Sequence, residues 1–193
     1  MILGITGGTG CGKTTLLNLI RELGGVVLDC DEIYHRLLKT DAALLAAIEN
    51  RFPGTVENGE LQRKKLGRIV FADRQALLDL NRITHSAIKA EVLRQLEFKP
   101  SLAAIDAIAL FESGLNQLCD VTVAVTAPTE LRIQRLMARD GITEDYAHSR
   151  IASQPGNEDF SALCDYTLEN SGEACAFQAN CLAFFRKIGI MES

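Results

Sequence analysis

Two hydrophobic periods alternate along the chain. Five short apolar runs read as strands: "MILGIT" (1–6), "VVLD" (26–29), "LAAIDAI" (102–108), "VTVAVT" (121–126) and "YTLEN" (166–170). The first two are aliphatic enough for strands buried on both faces. Between the runs, apolar residues recur at three and four. Leu16, Leu17, Leu19, Ile20 and Leu23 form such a stripe before the Gly24-Gly25 stop. "DEIYHRLLKT" and "DAALLAAIENRF" read as helices, the second closed by Pro53-Gly54. Residues 61–98 form one long helical region with a break near Phe71 to Asp73. Further helices are expected in "PTELRIQRLMARDG", in "TEDYAHSRIASQ" with Thr143 as N-cap and Pro155 as terminator, and in "EACAFQANCLAFFRKI".

Strands alternating with helices predict an α/β fold in three layers, a five-stranded parallel sheet with helices on both faces. Ligands of such sheets bind at the carboxyl ends of the strands. That edge would collect Thr6 to Thr14, Asp29 to Asp31, Asp106 onward, the segment after Thr126, and Asn170. No linker interrupts the 193 residues, so the expectation is one domain in which the helical insert of about 40–100 belongs to the same unit.

Composition narrows the class. The chain is 47% hydrophobic and 23% charged, with four prolines, which suits a compact fold. A net charge of −5 argues against a nucleic-acid surface. No apolar stretch approaches the length of a membrane span. Cys11, Cys30, Cys119, Cys164, Cys175 and Cys181 form no CxxC pair and no zinc-ligand spacing. Without a basic segment ahead of the first apolar run, a cytoplasmic chain with small reduced core cysteines is expected.

The chemistry begins at "GGTGCGKT", residues 7–14, which satisfies G-x-x-x-x-G-K-[ST] through Gly7, Gly12, Lys13 and Thr14. A buried strand precedes it and an amphipathic helix follows. Glycines let successive N–H groups turn toward phosphate oxygens, and the helix terminus adds its unpaired amides. Lys13 would reach the outer phosphates, and the Thr14 hydroxyl offers Mg²⁺ one ligand. The motif indicates a nucleoside triphosphate without specifying the reaction. The lack of an N-K-x-D guanine-reading segment favours ATP.

Acids and bases suggest what is done with the triphosphate. "LDCDEIYHR" supplies Asp29 and Asp31 at a strand end, where a carboxylate can orient a hydroxyl and take its proton. An N-cap role fits the same spacing, and spacing alone does not separate Asp29 from Asp31. Asp106 ends the third strand and could support Mg²⁺ through a water, or simply be a satisfied strand-end residue; Glu112 lies in the loop beyond. Arg132, Arg135 and Arg139 share one helical stripe. Arg132 is expected on a solvated face, and Arg135 and Arg139 toward the phosphates, with Arg150 and Gln154 extending that cover.

With these pieces in order the chain resembles the dephospho-CoA kinases. The resemblance spans roughly residues 1 to 186 and rests on "GITGGTGCGKTT", "LDCDEIYHR", "LQRKKLGRIVFADR", "ITHSAI", "IDAIALFESGL", "DVTVAV", "QRLMARDGIT" and "CDYTLENSG" in family order. It implies a P-loop kinase that moves the γ-phosphate of ATP to the ribose 3′-hydroxyl of dephospho-CoA, with Mg²⁺, as the last step of coenzyme A synthesis. It further implies Asp31 as general base and Lys13 as its catalytic companion. ATP would be held by Gly8, Thr9, Gly10, Cys11, Gly12, Lys13, Thr14, Thr15, Arg139 and Asn170. Asp29, His35, His85 and Glu112 would face the acceptor, residues 40–100 would form the CoA-side subdomain, the core would comprise 1–39 and 101–193, and 142–165 would form a lid. A monomer or weak oligomer with small-molecule partners follows.

The chain departs from the family pattern in four places. The histidine-proline pair reads His85-Ser86, a proline is missing from "DAIALFE", Cys11 replaces a usual serine, and Glu158 and Asp159 stand in a stretch where the family usually carries lysine or arginine. A P-loop kinase of another small alcohol or nucleotide, and a nucleotide-binding module with impaired catalysis, are the alternative readings.

Overall fold

The computed structural model describes residues 1–192. Strands β1 (Ile2–Thr6), β2 (Val26–Asp29), β5 (Ala103–Asp106), β6 (Val121–Thr126) and β7 (Tyr166–Glu169) form a five-stranded parallel sheet in the order β2-β5-β1-β6-β7, with helices on both faces. Leu3 of β1 lies opposite Ala104 on one side and Val121 on the other, so β1 is central. Its apolar run is buried accordingly. β2 lies at the sheet edge, and Val26 is exposed, so the burial expected on both faces does not hold there.

By contact pattern the chain divides into two compact units. One takes in residues 1–27, 100–111 and the described chain from Leu115 onward. Its core joins Leu3, Ile5, Val123 and Val125 of the sheet to Leu16 and Ile20 of α1 (Lys13–Glu22) and Phe177, Phe184 and Phe185 of α9 (Ala174–Lys187). Helices α6 (Thr129–Asp140), α7 (Glu144–Ala152) and α8 (Asn157–Leu163) complete this unit with a 3₁₀ turn at Leu115–Leu118. Thr143 caps α7 as its sequence suggests, its hydroxyl accepting from Tyr146 N–H. The acids at 158 and 159 have a local cause: both lie in the first turn of α8, and Asp159 accepts from Gly156 N–H at 2.8 Å.

The second unit comprises residues 28–99 and 112–114, so it starts well before residue 40. It holds α2 (Cys30–Thr40), α3 (Ala42–Arg51), α4 (Arg63–Ala72) and α5 (Arg74–Leu96). The break expected near Phe71 to Asp73 falls at Asp73, which caps α5 through Gln75 N–H. A two-stranded hairpin, β3 (Val56–Glu57) and β4 (Glu60–Leu61), turns at Asn58-Gly59, both in positive φ. No disulfide joins the six cysteines, yet only Cys11, Cys30 and Cys181 are buried; Cys175 is exposed. Among the described residues no helix is long and apolar enough to cross a membrane.

The second unit is tied by a carboxylate cluster. Glu91 of α5 accepts from Arg36 of α2 at 2.8 Å, from Arg94 at 2.7 Å and from Gln95 at 2.8 Å. The Arg94 hydrogen bonds lead in holding its carboxyl down at about 2, against an ordinary 4.5. A depressed carboxylate adds stability above its unfolded value and loses it as pH falls toward the folded one. Glu91→Gln should therefore lower the melting temperature at pH 7 by about 2–6 °C. The gap from the unmodified chain should narrow between pH 4.5 and about 2. Thermal melts across that range check this, and a gap independent of pH contradicts it.

Candidate nucleotide and acceptor sites

Residues 7–14 leave β1 and enter α1 as one glycine-rich turn. Gly7, Gly10 and Gly12 take φ values of 138°, 80° and 93°, a region closed to most side chains. Gly12 has no room either, since a β-carbon there would overlap the Asn170 amide nitrogen. The turn directs six successive carbonyls to donors. Gly7 O accepts from Lys13 Nζ at 2.8 Å, Gly8 O from Cys11 N at 3.3 Å and Thr9 O from Arg132 Nε at 2.9 Å. Gly10 O accepts from Arg135 Nη1 at 3.1 Å, Cys11 O from Asn170 Nδ2 at 3.0 Å and Gly12 O from Thr15 N at 3.1 Å.

The amides behave differently. Thr9 N–H donates to Gln154 Oε1 at 2.8 Å, but those of Gly10, Gly12, Lys13 and Thr14 find no protein acceptor among the described residues. A run of donors without protein acceptors at a helix N-terminus favours an anion in front of it. Lys13 Nζ also lies 4.0 Å from Asp106 Oδ1 at the end of β5, adding a cation and an acid to the same place.

The arginine stripe of α6 is sorted by what it meets. Arg132, expected in solvent, is 2% exposed and bonded to the loop. Arg135 is partly buried and joins Gly10 O to Asn170 Oδ1, the latter at 2.9 Å. Arg139 is exposed and gives Nε to Asp140 at 2.7 Å, a carboxylate shared with Arg150 Nη1 at 2.6 Å. These two arginines hold the Asp140 carboxyl down at about 2, the Arg139 hydrogen bond first. Arg132, Arg135 and Gln154 therefore touch the loop, while Arg139 faces Asp140. Three- and four-residue spacing had put the arginines on one stripe without orienting it.

The remaining candidates lie in the second unit. Asp29 is the N-cap of α2, its Oδ1 accepting from Asp31 N–H at 2.9 Å and Glu32 N–H at 3.0 Å. Capping thus occupies Asp29 and leaves the exposed Asp31 carboxylate outside that task. His35 is exposed, with Nδ1 2.7 Å from Asp31 O. His85 and Glu112 line one open cavity of about 500 Å³ with Asn81, Arg82 and Lys89. Burial lowers the His85 pKa and so favours the uncharged imidazole, while the Glu112 charge opposes this.

Comparison with known proteins gives this arrangement a family. The sequence profile described as "Dephospho-CoA kinase" matches residues 1–175. The dephospho-CoA kinase of Syntrophotalea carbinolica is 38% identical over 179 residues, covering 89% of this chain and 84% of the relative. Among solved structures, TT1252 from Thermus thermophilus superposes with a TM-score of 0.83 at 29% identity, over 100% of this chain and 98% of the other. The dephospho-CoA kinase from Campylobacter jejuni does so at 0.67 and 27% identity, over 98% of each. On the profile match and the shared sequence, the chain belongs to the dephospho-CoA kinase family.

Proposed function

We propose that this chain transfers the γ-phosphoryl group of ATP to the ribose 3′-hydroxyl of dephospho-CoA, giving coenzyme A and ADP. The observation that carries the reading is the family match over residues 1–175, which takes in the phosphate loop, the D-x-D pair and the cavity residues together. The donor-rich loop supports it, because free amides at Gly10, Gly12, Lys13 and Thr14 suit the oxygens of a triphosphate.

In this reading the ATP residues are Gly8 to Thr15 with Asn170 and Arg135 behind them, and Lys13 neutralises charge on the transferring group. Arg139 would have to leave Asp140 to take part. Thr14 would give Mg²⁺ one hydroxyl ligand, with Asp106 supporting its water shell; when bound, the ion would supply positive charge to offset that of the phosphates. No group of three or more acids, histidines or cysteines among the described residues forms a metal cage, which suits an ion held mostly by nucleotide and water. Asp31 takes the proton of the 3′-hydroxyl as its oxygen bonds to the γ-phosphorus and the bond to the β–γ bridging oxygen breaks, releasing ADP. His35, His85 and Glu112 shape the acceptor side, where Arg82 and Lys89 offer cations to the acceptor's diphosphate.

The decisive measurement is ADP release with dephospho-CoA against a panel of nucleosides, nucleotides and sugars, with and without Mg²⁺. Release confined to dephospho-CoA and requiring Mg²⁺ is expected; none with dephospho-CoA overturns the proposal. Lys13→Ala should cut turnover by on the order of 10²-fold or more, as loss of a preorganised charge-stabilising group does. Asp31→Asn should lower kcat about 10²-fold or more with the KM for ATP nearly unchanged. Asp29→Asn keeps a capping oxygen and should be mild. A damaging Asp29→Asn beside a harmless Asp31→Asn would reverse the assignment of the base.

A further inference from the structure

Residues 151–163 carry no lysine or arginine, and Arg139 and Arg150 are both committed to Asp140. The cations hydrogen-bonded to the phosphate loop are Lys13, Arg132 and Arg135. Arg132 is the largest fully buried side chain of the protein's described part. Its Nε donates to Thr9 O, while its Nη2 is buried with no hydrogen-bond partner among the described residues. Nη2 stands directly against Gly8, where a β-carbon would overlap it. Gln154 Oε1, which accepts from Thr9 N–H, lies 3.3 Å from that β-carbon position at Gly8. No carboxylate pairs with Arg132 among the described residues.

A guanidinium stays charged when buried, and a buried charge without a counter-ion is unfavourable until an anion approaches. We propose that Arg132 is a positioning residue for nucleotide binding: it holds the Thr9 carbonyl turned into the protein and stations a permanent positive charge behind Gly8. That charge strengthens the grip on the phosphates in a chain whose 151–163 segment has no cation. The proposal rests on the ATP reading above.

Calorimetric titration of the full chain with Mg·ADP and Mg·ATP, without acceptor, tests it on Arg132→Gln and Arg132→Lys beside nucleotide-free melts. Arg132→Gln should weaken both nucleotides about tenfold while the nucleotide-free melting temperature holds or rises. Arg132→Lys, which keeps the charge and loses the fork, should recover part of the affinity. A folded Arg132→Gln with unchanged affinity, or with a lower melting temperature and unchanged affinity, overturns the role. Should Arg132→Gln fail to fold, Gln154→Glu carries the test. It sets a carboxylate against Gly8, where Nη2 also stands, and keeps an acceptor for Thr9 N–H, so unchanged affinity there overturns the role and about tenfold weakening supports it. With no acceptor present, a failure to phosphorylate dephospho-CoA leaves this result intact, whereas absence of nucleotide binding by the unmodified chain overturns both readings.

Discussion

Backbone amides can face an anion only if the neighbouring carbonyls face somewhere else, and a carbonyl turned inward to protein needs a donor there. That constraint governs this protein. The carbonyls of residues 7–12 are each given a hydrogen bond, two by nearby backbone N–H groups and the rest by Lys13, Arg132, Arg135 and Asn170. Glycine makes the conformation accessible, but these donors make it the one the loop keeps.

The side chains that do this come from far along the chain. Arg132 and Arg135 sit on the helix after β6, and Asn170 follows β7, whose N–H to Thr126 O bond continues the ladder past the strand end. The sheet order places β6 beside β1 and β7 beside β6, so its carboxyl edge delivers these donors to the loop. Topology thereby converts a flexible sequence into a preorganised cradle.

What the sequence revealed depended on whether a feature is local. The five strands, the loop, the cap at Thr143 and the helix break ending at Asp73 are set by residues within a few positions of each other, and their patterns could be read directly. The hairpin at Asn58-Gly59 also had a local signal, the Asn-Gly pair, but two-residue strands leave no alternation to notice. Arg132 had none: its burial is decided by a carbonyl more than a hundred residues away, and nothing in α6 marks which arginine will meet it. The division at Leu28 and the Asp140 pairing of Arg139 and Arg150 were hidden for the same reason.

The distant origin of those donors bears on the order of events during synthesis. Residues 1–25 carry the entire glycine-rich turn and both elements that flank it, yet three of its carbonyls lack their partners until positions 132 to 170 have been made. Contacts of such sequence separation form late because the intervening chain must first be closed into a loop. A ribosome-bound fragment ending before Asn170 therefore has the loop's sequence but lacks the donor that meets its Cys11 carbonyl, and the full set of supporting hydrogen bonds exists only after that residue has been added.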